Sequence, residues 1–298
     1  MAEFPFDPDT RAAAEGRAGH WVITIVCEDR PGIVHAVSGA VVAAGGNITE
    51  SKQFASADTG RFFMRLQVET AGTREELTGA LAPVAETFAM EVSVDVVGRP
   101  LRTLLLASTA GHCVNDLLFR QRAGQVPIDV PLVLANHGTL RELVDFYGVP
   151  FEAHPIVDPA SKAAFEDRVL EAVQEHDIEL VVLARYMQIL SPRLCEALAG
   201  RAINIHHSFL PGFKGANPYK QAHQRGVKLI GATAHFVTVD LDEGPIIEQS
   251  VTRVDHSQSP AQLVAIGQDE ECRALRNAVT WFAQHRILLD GDRTIVFQ

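Results

Sequence analysis

Short, unbroken apolar runs separated by helical stretches constrain this chain more than any other feature. TLLLAS (103–108), VPLVLAN (130–136) and IELVVLA (178–184) lack the polar alternation of a half-exposed strand, so both faces of each must be covered. Helical stretches begin near His112, Gly138 and Ala160, and this alternation predicts a parallel sheet with helices on both faces. RAINIHH (201–207), KLIGATAHFVT (228–238) and PIIEQSVTRV (245–254) add strands, and residues 260–285 a long terminal helix. In open parallel sheets ligands collect outside the carboxyl ends of the strands. Polar residues at those ends are therefore the candidates for chemistry.

Upstream the rhythm differs. WVITIV (21–26) reads as a strand, EDRPG as a turn, and IVHAVSGAVVAAGG as a helix ending in Gly45 and Gly46. Two strand-like runs follow around the hairpin signal Asp58-Thr59-Gly60, then a helix over 73–90 and a strand over 91–97. The order βαββαβ predicts a ferredoxin-like domain. Gly98-Arg99-Pro100 marks the boundary, giving a leader over 1–20, a first domain over 21–98 and an α/β domain over 99–298.

Composition removes several classes of function. With 26 Lys and Arg against 37 Asp and Glu, the formal charge of −11 provides no basic field for nucleic acid. No apolar run approaches the roughly 18 residues of a membrane helix, and the N-terminus has no basic-then-apolar signal pattern, so a cytoplasmic location is expected. Cys27, Cys113, Cys195 and Cys272 form no C-x-x-C pair, which argues against zinc-ribbon or redox spacing and against disulfides.

Three strand ends stand out. In Asn204-Ile205-His206-His207-Ser208 the period-2 alternation puts Asn204 and His206 on one side. His235 begins a second end, whose acidic loop contains Asp240 and Asp242 and is closed by Gly244-Pro245. An amide, an imidazole and a carboxylate suit carbonyl chemistry: the carboxylate handles water, while the other two stabilise an oxyanion. The third end, Leu183 to Leu190, is apolar with polar interruptions and suits a flat ring. Taken singly, each of these polar residues also reads as a helix cap or turn ligand, and Tyr186 to Leu190 as core. His207 reads equally as a second catalytic group or a hydrogen-bonded neighbour. A metal site at His206, His207, His235 and Asp242 is disfavoured, because an amide and an imidazole already serve to polarise a carbonyl.

NIHHSFLPGFKGANPYKQAH (204–223) and ATAHFVTVDLDEGPII (232–247) resemble the signature of the folate-dependent formyltransferases. The His-His pair, HCVNDLL (112–118) and the EDRPG domain narrow the resemblance to the formyltetrahydrofolate deformylases, over residues 21–298. The resemblance implies hydrolysis of 10-formyltetrahydrofolate to tetrahydrofolate and formate, supplying purine synthesis and balancing the one-carbon pool. The folate is substrate, and no cofactor or metal is implied. It makes Asn204 and His206 the polarising pair, Asp242 the carboxylate, and His235 and His207 supporting groups. The folate would lie along Tyr186, Met187, Gln188, Ile189 and Leu190, with Val237 and Leu241 opposite. Related transformylases hold an acceptor phosphate after the first strand; here Gly111 is followed by bulky His112 and Cys113, which leaves water as nucleophile. Deformylases usually carry Lys where Thr109 stands, so Thr109 receives no role.

The first domain resembles an ACT domain, an amino-acid-sensing module. Arg30-Pro31-Gly32 at a helix start, with Asn47, would hold a small effector such as glycine or methionine, although an ordinary loop fits the same residues. Such modules pair edge to edge, so a homo-oligomer, dimer or tetramer, is expected. The alternatives are a transferase acting on an amine acceptor and a non-catalytic amino-acid or folate sensor. Formate release without added acceptor separates them.

Overall fold

A computed structural model describes residues 19–210 and 218–298, which form two compact units, 100–283 and the remainder. The expected leader therefore lies largely outside the described residues. Its last two residues, Gly19 and His20, are already strand, paired with Thr70 and Glu69.

The first unit contains β1 (Gly19–Glu28), α1 (Ile33–Ala43), β2 (Asn47–Ala55), β3 (Arg61–Thr70), α2 (Arg74–Phe88) and β4 (Glu91–Val96). Its sheet is antiparallel in the order β2-β3-β1-β4, the arrangement that βαββαβ chains adopt. One face buries Ile23, Ile25, Met64 and Leu66 under Val37, Val41, Leu77 and Leu81 of the helices. A capping box starts α2: Glu76 N–H donates to Thr73 Oγ1 at 3.2 Å, and Thr73 N–H to Glu76 Oε2 at 2.8 Å.

The second unit runs β5 (Leu101–Ala107), α3 (His112–Arg122), β6 (Ile128–Ala135), α4 (Arg141–Phe146), β7 (Phe151–Ala153), α5 (Pro159–Glu175) and β8 (Leu180–Leu183). It continues with α6 (Pro192–Ala197), β9 (Ala202–His206), α7 (Pro218–Arg225), β10 (Leu229–Phe236), β11 (Ile246–Arg253) and α8 (Pro260–Ala283). The strand order is β11-β10-β9-β8-β5-β6-β7, parallel from β9 to β7 and antiparallel at β10 and β11. The apolar runs are the buried strands they resembled: Leu104, Leu106, Leu132, Leu134, Val181 and Leu183 share a core with Phe165 and Val169 of α5. The sequence gives little sign of β7, a three-residue edge strand.

The C-terminal residues require a correction. Expected to belong to the α/β domain, residues 284–298 instead group with the first unit. They form the hairpin β12 (Ile287–Asp290) and β13 (Arg293–Val296). Polar bonds explain the attachment. Buried Arg65 donates twice to the Gln284 carbonyl, at 3.1 and 3.0 Å, and His285 bonds Asp95 at 3.0 Å.

Candidate functional site

β9 and β10 run antiparallel with Asn204 opposite His235 and Thr233 opposite His206. This register, which no reading of either strand alone supplies, puts three polar side chains at one sheet end. The loop after β10 then returns Asp242 to them. Asp242 holds a left-handed φ of 57°, a conformation that Asp tolerates better than most residues. At Gly244 a Cβ would stand 1.8 Å from the Phe236 carbonyl oxygen, so the loop closes only with glycine there.

His206 Nδ1 lies 3.2 Å from Asp242 Oδ2, and buried His206 Nε2 has no hydrogen-bond partner among the described residues. His235 Nδ1 is 2.8 Å from the Phe236 carbonyl; because a carbonyl only accepts, this nitrogen carries the proton. His235 Nε2 then accepts from Asn204 Nδ2 at 3.2 Å, fixing the amide's orientation. His235 Nε2 stands 3.7 Å from Asp242 Oδ1, beyond hydrogen-bonding range. The hydrogen bond from His206 holds the Asp242 carboxyl well below the usual range, so it is ionised at neutral pH. The His207 ring stacks on His206 with centroids 5.1 Å apart, and burial pushes its imidazole down to about 4, so it is neutral. Thr233 anchors the stretch after β9: its hydroxyl donates to the Ser208 carbonyl at 3.0 Å and accepts from Leu210 N–H at 3.1 Å.

Asn204, His206, His207, His235 and Asp242 line a cavity of about 790 Å³. Residues Tyr186 to Leu190 line it too, together with Val237 and Leu241. These residues divide in two: Tyr186 stacks on Phe165 at 5.3 Å and joins the core with Leu190, whereas Met187, Ile189 and Leu241 are exposed at the cavity. The run thus supplies core at Tyr186 and Leu190 and exposed cavity lining at Met187 and Ile189. Met187 N–H donates to Ser108 Oγ at 3.0 Å, fastening the segment to the end of β5.

A second polar cluster on the same cavity was not anticipated. Glu271 of α8 is 1% exposed, yet its carboxyl is held below the usual range by partners that outweigh its burial. Tyr219 donates to Oε1 at 2.7 Å, and at Oε2 stand His112 Nε2 at 2.7 Å and Arg185 Nε at 3.2 Å. A Cβ on Gly267 would fall 2.1 Å from the Tyr219 ring, so glycine one turn before Glu271 makes room for that ring. The sequence signal was a glutamate on the buried stripe of a helix, among Leu263, Ala274 and Ala278. Cys113 is buried beside Cys272, and its hydrogen bond with Cys272, followed by burial, raises its thiol. His112, Cys113 and Glu271 offer donor atoms within 4.8 Å of one another, but the Arg185 guanidinium against Glu271 opposes a cation there. Thr109 is exposed.

In the first unit, Gly32 takes φ 99° at the start of α1, as the turn requires. Arg30 is spent locally: its guanidinium lies 4.4 Å over the Phe88 ring and donates to the Thr87 carbonyl. Asn47, at the start of β2, is exposed.

Comparison with known proteins gives a formyl transferase family match over residues 101–279 and an ACT domain match over 21–85. The formyltetrahydrofolate deformylase of Corynebacterium sp. strain P-1 is 46% identical over 282 residues, covering 93% of this chain and 98% of that one. The crystal structure of the formyltetrahydrofolate deformylase of Burkholderia mallei superposes with a TM-score of 0.90 at 47% identity, covering 94% and 100%. A glycinamide ribonucleotide transformylase of Symbiobacterium toebii gives a TM-score of 0.63 at 32% identity, covering 68% of this chain and 97% of its own. Among the described residues no helix is long and apolar enough to cross a membrane.

Proposed function

The chain belongs to the formyltetrahydrofolate deformylases, and on that premise we propose that it hydrolyses 10-formyltetrahydrofolate to tetrahydrofolate and formate through Asn204, His206 and Asp242. The observation that carries this reading is the convergence of those three side chains on one cavity with an apolar, partly exposed wall. The pterin lies along Met187 to Leu190 and faces Val237 and Leu241. Water attacks the formyl carbon while Asp242, ionised, takes its proton. The second Asn204 N–H and the His206 ring, which must carry a proton on Nε2 as well as the one it shares with Asp242, meet the developing oxyanion. As the C–N bond breaks, the proton passes to N10. His235 acts by orienting the Asn204 amide, and neutral His207 by packing on His206.

The ACT domain is a site for an amino-acid effector, for which glycine and methionine are the first probes. Since Arg30 is engaged by Phe88 and Thr87, the effector is held by backbone N–H groups around Gly32. Formate release from 10-formyltetrahydrofolate with no added acceptor tests the main reading. A strict dependence on an amine would replace it with transfer, and folate binding without turnover would replace it with a sensor.

A further inference from the structure

The wall formed by Arg185, Glu271, His112 and Tyr219 lines the cavity that holds Asn204, His206 and Asp242, yet the mechanism does not use it. Arg185 adopts φ 63° immediately beyond β8. That left-handed region is disfavoured for a long side chain and ordinary for glycine, so the position accepts strain to present a guanidinium. Strain of this kind is concentrated at functional sites. The Arg185 charge meets Glu271, and both carboxylate oxygens of Glu271 are taken by Tyr219, His112 and Arg185. Every charge on this wall is thus compensated from within the protein. Buried Arg185 Nη1 has no hydrogen-bond partner among the described residues, a donor whose complement in a hydrolytic site is the oxygen of water.

A second organic substrate needs the opposite. Its nucleophile must come within roughly 3–3.5 Å of the formyl carbon, and its polar groups need partners when they leave water. The fold alone does not decide the matter, because the Symbiobacterium transformylase shares the sheet. We propose that Arg185, held by Glu271, His112 and Tyr219, is the specificity-determining residue that closes the acceptor side of the cavity and leaves water as the formyl acceptor. This rests on the hydrolytic reading above. In hydrolysis the water oxygen bonds the formyl carbon as the C–N10 bond breaks, one water proton reaches N10, and formate leaves. An admitted amine would form a C–N bond instead and give up its proton to N10.

The test uses the full chain, 10-formyltetrahydrofolate and hydroxylamine, reading the ratio of formohydroxamate to formate. Formate from the unaltered chain without hydroxylamine is measured first; its absence is a failure of the hydrolytic reading, separate from this one. Arg185→Gly suits the backbone and removes the side chain; it should raise the ratio on the order of 10-fold or more, and Arg185→Lys should return it toward the starting value. Glu271→Gln, which weakens the hold on the guanidinium without shortening it, should move the ratio the same way by less. An unchanged ratio in Arg185→Gly with formate release retained overturns the proposal. So does complete loss of turnover with folate still bound, which would make Arg185 part of hydrolysis rather than of selection.

Discussion

Asp242 combines a positive φ, an ion pair with His206 and a carboxyl held strongly in its charged form. Replacing it with Asn preserves shape and removes the base, so folate binding measured by equilibrium dialysis should persist while kcat falls ~10²–10⁴-fold. Near-normal formate release by this variant would remove Asp242 from the mechanism. Asn204→Ala and His206→Ala should each cost on the order of 10²–10³ in kcat. Their double variant should lose less than the product of the two, since both act on one developing charge. His207 bears on stability. Burial lowers its imidazole from 6.5 to about 4, so between those values the unfolded chain binds a proton that the folded chain does not. Stability should therefore fall as pH drops from about 6.5 to 4, and His207→Gln should flatten that slope in urea midpoints. Asp242 has the opposite displacement: its contribution is present above the unfolded carboxylate value of about 3.9 and is lost only below it, a separate window.

Individual elements decide where these side chains stand. The acidic loop after β10 is closed by Gly244, whose Cβ would lie 1.8 Å from the Phe236 oxygen. Gly244→Ala must displace the loop, and because about 1 Å of misplacement costs on the order of 10²-fold, kcat should fall while the sheet stays folded. Normal kcat with an unchanged melting temperature would show that the loop adapts without moving Asp242. On α8, Gly267→Ala should push Tyr219 off Glu271 and destabilise the second unit by about 1–3 kcal/mol in chemical denaturation. Helix periodicity alone shows Gly267 and Glu271 sharing a face, because residues one turn apart stack. What faced them, Tyr219 from α7, had no such signal.

At the scale of the whole molecule, the chain returns to its first unit after the second is complete. Arg65, buried in β3, pairs with Glu50 at 2.7 Å and spends its other nitrogens on the Gln284 carbonyl. Ending the chain at residue 283 removes that acceptor and the His285–Asp95 bond, while Glu50 still pairs with Arg65 and Arg99 with Asp95. The first unit should then lose about 1–3 kcal/mol, read by denaturant unfolding. Residues 100–283 contain every side chain assigned to hydrolysis. Unfolding of the first unit at the same denaturant midpoint with and without the tail would show the hairpin to be dispensable.

The sequence by itself determined whatever repeats along the chain or sits at a strand end. The βαββαβ order, the buried strands and the side shared by Asn204 and His206 follow from local period, which depends only on neighbouring residues. The tertiary structure alone decided the facing of Asn204 by His235, the closure of Glu271 by Tyr219, His112 and Arg185, and the return of residues 284–298 to the first unit. Each joins residues far apart in sequence, through strand register or the partner demanded by a buried charge. Neither leaves a periodic trace in the residues that supply it.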